Sequence, residues 1–367
     1  MYPYIIVFFL LLISDKISKK YVNFVCFLIL FIFMGMRYEI GTDFTWYYGL
    51  AERFDLLSIP ISSSLKDYSS YVKEDTLYNY YLYRYLALEI FNKILYRIAW
   101  ILRTPQLIIF IYSFFVLFFI EISIRKIEKD YIKYIWLFFF CFSDFFLLDC
   151  NMIRQAVSIS IGFYSLEFIR KKEKFKFLLC IIFATTFHTS SIILITFYII
   201  YNFIPKINKW VLLIGYLISY FGKTIFLFLL KNSFLPTKYL GYFEPNFTGG
   251  KKMFMLFILI GFLLILTIDK LEEKNIKLVL IILAGCYLNL LLRETGYLVI
   301  RIRIYYFIFI LYLIPDYIKL VNKYFYIKYI FTIICFILLI LTLFNDRKYD
   351  TPQYVPYKIF LKNYNKI

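Results

Sequence analysis

The stretch YVNFVCFLILFIFMGMRYEIGTDFTWYY, residues 21–48, changes chemistry abruptly. It is almost pure hydrocarbon as far as Phe33, then offers Arg37, Glu39, Gly41, Thr42 and Asp43, and closes on Trp46, Tyr47 and Tyr48. A helix over 21–36 is about as long as a bilayer crossing asks for. The charged and aromatic cluster sits where that helix would surface.

Working outward, comparable apolar runs cover 2–14, 107–124, 134–149, 152–169, 177–188, 189–204, 210–230, 253–268, 278–292, 298–314 and 329–344. The chain has 367 residues and is 62% hydrophobic, more apolar surface than a soluble domain of this size can hide. The runs do not alternate as β-barrel strands must. The expectation is an all-α polytopic membrane protein with about twelve transmembrane helices. Without a fixed-period repeat or a linker, it reads as a single integral membrane domain over 1–367.

The formal net charge is +18, yet the Lys and Arg gather in short loops between the runs. Those loops are SDKISKK (14–20), IRKIEKDYIK (124–133), RKKEKFK (170–176), PKINK (205–209), DKLEEKNIK (269–277) and PDYIKLVNKYFYIK (315–328). From residue 124 they alternate with a less basic set, so the basic set is expected in the cytoplasm and nucleic acid is not expected as a partner. The segment 77–103 would break that alternation if it crossed. Its Glu89, Lys93 and Arg97 recur at i, i+4 and i+8, so it reads as one amphipathic interfacial helix inside an outer loop, 37–106. Both termini then lie outside, although the basic tail 345–367 pulls the other way.

The six cysteines are scattered through apolar runs and form no CxxC pair, so no metal site or disulfide framework is expected. The first run has no basic n-region and no small-residue cleavage site, so no cleavable signal peptide is expected. Neither a P-loop nor a GxGxxG motif occurs, and no cofactor is expected.

Charges inside or at the lip of apolar runs mark functional candidates. They are Arg37 and Asp43 around the Gly-Thr turn, Asp144, Asp149, Asn151, Arg154 and Gln155, the lone His188, Arg293 and Glu294, and Arg301 and Arg303. Each has a plainer reading: snorkelling for Arg37, Arg301 and Arg303, a turn or cap for Asp43, a structural pair for Arg154 with Asp149, a packing role for His188. Arg301 and Arg303 splay apart on a helix, so at most one can face a given cavity. All of these residues fall toward the outer side of this threading. Guanidinium groups match phosphate oxygens with a planar pair of donors. The set therefore reads as a diphosphate pocket at headgroup depth, with Asp43 or His188 taking a proton from a hydroxyl and aromatic rings stacking on sugars.

The head RYEIGTDFTWYY fits R-Y-x-x-G-x-D-[FY]-x-x-Y through Arg37, Tyr38, Gly41, Thr42, Asp43 and Tyr47. NMIRQAVSISIGFYSL (Arg154, Gln155), FATTFHTSSIIL (His188, Ser190), TKYLGYF (Tyr239, Tyr242) and RIRIYYFIFILYLIP (Arg301, Tyr305) add support. On these residues the chain resembles the EpsG family, a branch of the Wzy-type polymerases of exopolysaccharide, capsule and O-antigen. The resemblance implies a GT-C-like glycosyltransferase of the bacterial cytoplasmic membrane, acting on its outer face without a metal. Donor and acceptor would be polyprenyl-diphosphate-linked oligosaccharides, with a chain-length regulator as a further partner. It assigns Asp43 and His188 to catalysis, and Arg37, Tyr47, Arg154, Gln155, Arg301, Arg303 and Tyr305 to substrate binding. A flippase for the same lipid-linked units would want two similar halves and broken helices, neither of which the sequence displays. A membrane O-acyltransferase would want His188 at an acyl-donor tunnel.

Overall fold

The structure is a computed structural model that describes residues 1–232, 251–293, 295, 297–321, 326–347 and 353–360. Tyr239, Tyr242, Glu294 and parts of the 345–367 tail lie outside these residues. The chain sorts into two compact units, residues 1–192 with 328–367, and residues 193–327.

In the first unit, α1 (Tyr2–Leu12), the short α2 (Ser14–Ile17) and α3 (Val22–Gly35) form a hairpin ahead of the motif. A two-residue strand β1 (Arg37–Tyr38) and α4 (Phe44–Ala51) carry the motif itself. The outer-loop segment then supplies α5 (Tyr68–Tyr71), α6 (Thr76–Leu86) and α7 (Ile90–Ile101). Longer helices follow: α8 (Gln106–Ile124), α9 (Lys129–Cys141), α10 (Phe146–Asn151), α11 (Ile153–Arg170) and α12 (Lys174–Phe187). The second unit holds α13 (Ile195–Phe203), α14 (Lys209–Phe221), α15 (Lys223–Lys231), α16 (Lys251–Thr267), α17 (Glu273–Leu291), α18 (Tyr297–Phe307) and α19 (Ile310–Val321). The chain returns to the first unit through α20 (Ile327–Asp346) and β2 (Lys358–Ile359).

Among the described residues, α8, α17 and α20 are long and apolar enough to cross a membrane. Two bent pairs raise that number to five if each is one span: α14 with α15, bent by 68°, and α18 with α19, bent by 56°. Most expected apolar runs coincide with a helix or such a pair; the run 134–149 instead breaks at residues 142–145, between α9 and α10. The sequence displays no broken helix, but these two pairs are broken. Gly222 caps the end of α14, and Pro315 lies within α19, close to its bend with α18. The apolar helices present Phe24, Leu28 and Ile32 of α3, and Ile333, Ile337 and Leu341 of α20, outward. Such faces suit lipid rather than water.

The first unit has two chemically distinct ends. At one end, Asp15, Lys19, Lys129, Asp130, Lys133 and Lys328 line a hollow of about 210 Å³, with Lys133 bonded to Asp15 at 2.5 Å. Three basic segments far apart in sequence (14–20, 124–133 and the start of α20) therefore gather on one face. A polar knot stands behind them: Asn23 Nδ2 donates to Glu121 Oε1 at 2.9 Å, and Trp136 Nε1 donates to Asn23 Oδ1 at 2.8 Å. At the other end lie the motif and the chain's tail. β1 and β2 pair antiparallel with Arg37 opposite Ile359 and Tyr38 opposite Lys358. Tyr4 Oη donates to the Tyr354 carbonyl at 2.8 Å, so the N-terminal helix starts at this same end. Between the ends α3 packs closely on α8. A Cβ on Gly35 would stand 2.5 Å from the Phe110 ring, so only glycine admits this approach.

Segment 77–103 corrects the sequence reading. It forms two helices, α6 and α7, rather than one. Glu89 is the N-cap of α7 with extended backbone (φ −64°, ψ 151°), and its side chain leaves the helix face to meet other elements. The expected polar stripe also turns inward. Lys93 is buried and donates to the Ser63 carbonyl, while Arg97 donates to the Leu57 carbonyl at 3.2 Å and to the Ile59 carbonyl. These loop carbonyls need donors, and the long basic side chains supply them. Burial pulls the Lys93 ammonium below its ordinary value.

Candidate functional site

The motif turn is built by backbone geometry. Gly41 adopts φ +91°, where a side chain would be strained, and a Cβ there would sit 3.1 Å from the Cys150 carbonyl oxygen. Its N–H donates to the Gln353 carbonyl at 2.8 Å. Asn151 Oδ1 accepts from Thr42 Oγ1 at 2.8 Å and from the Asp43 N–H at 2.9 Å. Asp43, half-buried, is thus placed at the head of α4 by its main chain. Its carboxylate, with those of Asp346 and Asp144, lies in electrostatic reach of Tyr354. Burial first, and these charges after it, push that phenol up.

Arg37 points inward, with its Nε buried and without a partner among the described residues. It is 1% exposed and turned into the protein. Its NH1 donates to the Met34 carbonyl at 2.5 Å and to Ser113 Oγ at 3.2 Å, and its NH2 to the Cys150 carbonyl at 3.2 Å. It clamps the end of α3 to α8 and α10, with the buried Asp149 within electrostatic reach. The plainer pairing of Arg154 with Asp149 is also corrected: Arg37 stands beside Asp149, and Arg154 has another partner.

That partner is Glu89. Arg154 NH1 lies 2.7 Å from Glu89 Oε2, with the two side chains 19% and 14% exposed. Glu89 Oε2 also accepts from Asn92 Nδ2 at 2.9 Å, and Oε1 accepts from the Thr189 N–H at 3.3 Å. The Arg154 guanidinium lies 5.2 Å from the Trp46 ring centroid and bonds to the Tyr47 side chain. Arg84 of α6 lies 5.6 Å from that same ring. Arg154 Nε and Trp46 Nε1 are buried donors with no partner among the described residues. Unmet buried donors are rare and costly, and an oxygen acceptor would satisfy them. Tyr47 is buried, and the half-buried Tyr48 stacks one face on Phe44 at 5.3 Å.

His188 ends α12, and its neighbour Thr189 is the residue that donates to Glu89. Its Nδ1 accepts from the Ser190 N–H at 3.3 Å and lies 2.7 Å from Ser190 Oγ. A neutral ring held this way carries its proton on Nε2. Gln155 is buried beside Arg154 on α11.

The Asp43 carbonyl accepts from the Tyr47 N–H at 3.0 Å, so Asp43, Tyr47, Arg154, Glu89 and the His188–Thr189 turn form one connected chain of contacts at the motif end of the first unit. Sequence reasoning named Glu89 only as part of a polar stripe and missed Arg84 and Asn92. The available signal was Glu89 three residues ahead of Asn92, at the spacing that brings two side chains together.

The second unit holds its own cations. Arg303 is 5% exposed, donates from NH1 to Asn289 Oδ1 at 2.9 Å and lies 4.1 Å from the Phe257 ring. Arg301 is half-buried, and Tyr305 is buried. Arg293 lies 4.4 Å from the Tyr220 ring.

No curated protein and no solved structure matches the chain. Residues 19–359 match the family model described as EpsG family, and the chain belongs to that family.

Proposed function

We propose that this protein is a membrane glycosyltransferase that polymerises polyprenyl-diphosphate-linked oligosaccharide repeat units on the outer face of the bacterial cytoplasmic membrane. Membership of the EpsG family and the apolar helices make it a membrane protein of polysaccharide biosynthesis, of polymerase type. One observation carries the finer reading. Arg154 and the Trp46 ring, 5.2 Å apart, each carry a buried N–H donor with no partner among the described residues, and Tyr47 links Arg154 to the Asp43 main chain.

In the reaction, the acceptor hydroxyl oxygen bonds to the anomeric carbon while the bond from that carbon to the diphosphate oxygen breaks. The electron pair leaves on the diphosphate, and the hydroxyl proton goes to Asp43. Arg154 and the Trp46 N–H stabilise the charge that builds on the leaving oxygen. Arg37 holds the motif in shape. His188 presents Nε2–H as a donor, which favours Asp43 as base and His188 as the group that orients a hydroxyl. A GT-C-like arrangement of about twelve spans fits this reading, with the basic end of the first unit in the cytoplasm.

The test is a series of Asp43→Asn, Arg154→Ala and His188→Ala, scored for polymer length by gel at matched protein levels. Single repeat units in the Asp43 and Arg154 variants are expected. Full-length polymer from both would refute the assignment. Cysteine labelling near 43, 154 and 188 from outside whole cells checks the face.

The bent pairs α14/α15 and α18/α19 favour a second reading, export of the lipid-linked unit, because broken helices recur in transporters. Lipid-linked units trapped on the inner leaflet of a knockout would select it.

A further inference from the structure

Helix α6 buries Tyr78, Leu82 and Tyr85 and turns Tyr80, Tyr83 and Arg84 outward, as i, i+3 and i+4 spacing dictates. Tyr80 is 46% and Tyr83 53% exposed. Tyr83 meets Tyr68 edge to face at 6.1 Å, and Arg84 lies 5.2 Å from the Tyr80 ring while donating to its hydroxyl at 3.3 Å. A depression of about 770 Å³ opens among Leu65, Tyr68, Thr76, Tyr80, Tyr83 and Arg84. That volume is within the usual range of small-ligand sites, about 300–1,000 Å³.

Its walls are fixed rather than loose. Asp75 caps α6 by accepting from the Leu77 and Tyr78 N–H groups at 2.8 and 3.1 Å. Asn79 braces residue 73 through both ends of its amide, accepting from the Lys73 N–H at 2.9 Å and donating to its carbonyl at 2.5 Å. Ser64 and Asp67 form a capping box under Tyr68. The groove also adjoins the site above: its Arg84 lies 5.6 Å from the same Trp46 ring that Arg154 faces.

We propose that this groove is a glycan subsite, holding sugar residues of the repeat unit beyond the one that bears the diphosphate. The identity of the glycan rests on the polymerase reading. Phenol rings pack on the C–H faces of sugar rings, and their hydroxyl tips, with the Arg84 guanidinium, bond to sugar hydroxyls. Exposed tyrosines can also rest at a bilayer interface. Here they line a concave surface between short capped helices in a segment rich in Lys66, Asp67, Lys73, Glu74 and Asp75, which fits a hydrated saccharide better than lipid.

The test uses the full-length protein in lipid nanodiscs. The probe is the host's repeat-unit oligosaccharide, released from its lipid by mild acid and therefore free of diphosphate. Wild-type protein binds it in calorimetry or saturation-transfer NMR. A Tyr80→Ala/Tyr83→Ala variant loses about tenfold or more in affinity and yields shorter polymer, while Tyr80→Phe/Tyr83→Phe keeps most of the binding. Should the alanine variant fail to fold, Arg84→Gln carries the same expectation. Equal binding by the alanine variant, no binding by wild type, or a loss confined to association with plain phospholipid vesicles overturns the subsite. Asp43→Asn is expected to bind the probe normally and make no polymer. Polymer from that variant overturns the assigned chemistry and leaves the groove standing.

Discussion

Arg154 and Glu89 form a nearly enclosed ion pair, NH1 to Oε2 at 2.7 Å, at the break between α6 and α7. The pair joins three segments remote in sequence. Arg154 opens α11, Glu89 opens α7, and the second carboxylate oxygen takes the Thr189 N–H beside His188. A charge pair this enclosed adds little net stability over an apolar substitute, yet removal of one partner is costly. Its value is geometric: it fixes where the guanidinium points and how far the histidine turn stands from it.

The first prediction separates those roles. Arg154→Ala leaves Glu89 as an unpaired carboxylate and is expected to destabilise the protein by about 3 kcal/mol or more. It also removes the charge proposed to face the diphosphate, at a further cost of roughly a hundredfold in rate. Glu89→Gln keeps one acceptor oxygen, enough for Thr189 or Asn92 in its present place but not both, and releases Arg154. It is expected to fold and to polymerise about tenfold or more slowly. Melting of purified protein, read beside polymer yield per molecule, distinguishes the two.

Arg37 gives the opposite expectation to its place in the motif. Its guanidinium feeds two carbonyls and a hydroxyl inside the protein. Arg37→Ala leaves these acceptors unmet and opens a cavity, for a loss of about 3 kcal/mol or more. Arg37→Lys can reach only part of the set and falls between. The expected readout is a lower melting point and less protein in the membrane, with polymer per folded molecule close to wild type. A variant that folds normally and makes no polymer would return Arg37 to the substrate.

The helices were legible because hydrocarbon runs announce themselves: 21–36 became Val22–Gly35, and 107–124 became Gln106–Ile124. The bend at 87–89 was not legible. Ala87, Leu88 and Glu89 are good helix formers, and the helix stops there because Glu89 is drawn to Arg154, Asn92 and Thr189. The site was half legible. Asp43, Arg154 and His188 stood out as misplaced polar residues, and the structure links their neighbourhoods. Arg37 stood out equally and proved to be internal, because a sequence does not say whether an arginine at a helix end meets solvent, ligand or backbone carbonyls. The docking of the tail was invisible, since a two-residue strand pairing across the whole chain leaves no local pattern.

A pH effect follows from Asp75. The Tyr78 and Leu77 N–H groups at the start of α6, with Arg53 nearby, hold its carboxylate below the ordinary value of 3.8. A carboxylate depressed in the folded state contributes fully above its unfolded value and loses that contribution as pH falls through the lowered one. α6 is therefore expected to loosen selectively below about pH 3.8, with faster amide exchange at residues 77–79. Asp75→Asn, which keeps a cap but not a titrating charge, should flatten that dependence. Unchanged exchange at 77–79 in acid would contradict it.

The last prediction concerns the tail. Asp346, at the end of α20 and 5% exposed, accepts from the main-chain N–H groups of Gln353, Tyr354 and Val355 at 2.8–3.0 Å. Those residues reach the motif directly: the Gln353 carbonyl takes the Gly41 N–H, Tyr357 Oη donates to the Phe33 carbonyl, and Lys358 pairs with Glu39. One carboxylate thus organises the strap that holds the turn carrying Asp43. Asp346→Ala strands three main-chain donors, that of Val355 buried, and is expected to release residues 353–360 without unfolding the helices. Amide exchange at Tyr38 and Gly41 should rise by about tenfold or more, and polymer yield should fall while protein level holds. Asp346→Asn, which retains one acceptor oxygen, should fall between the two. If Asp346→Ala exchanges at Gly41 like wild type, the strap does not hold the turn, and the fall in yield should vanish with it.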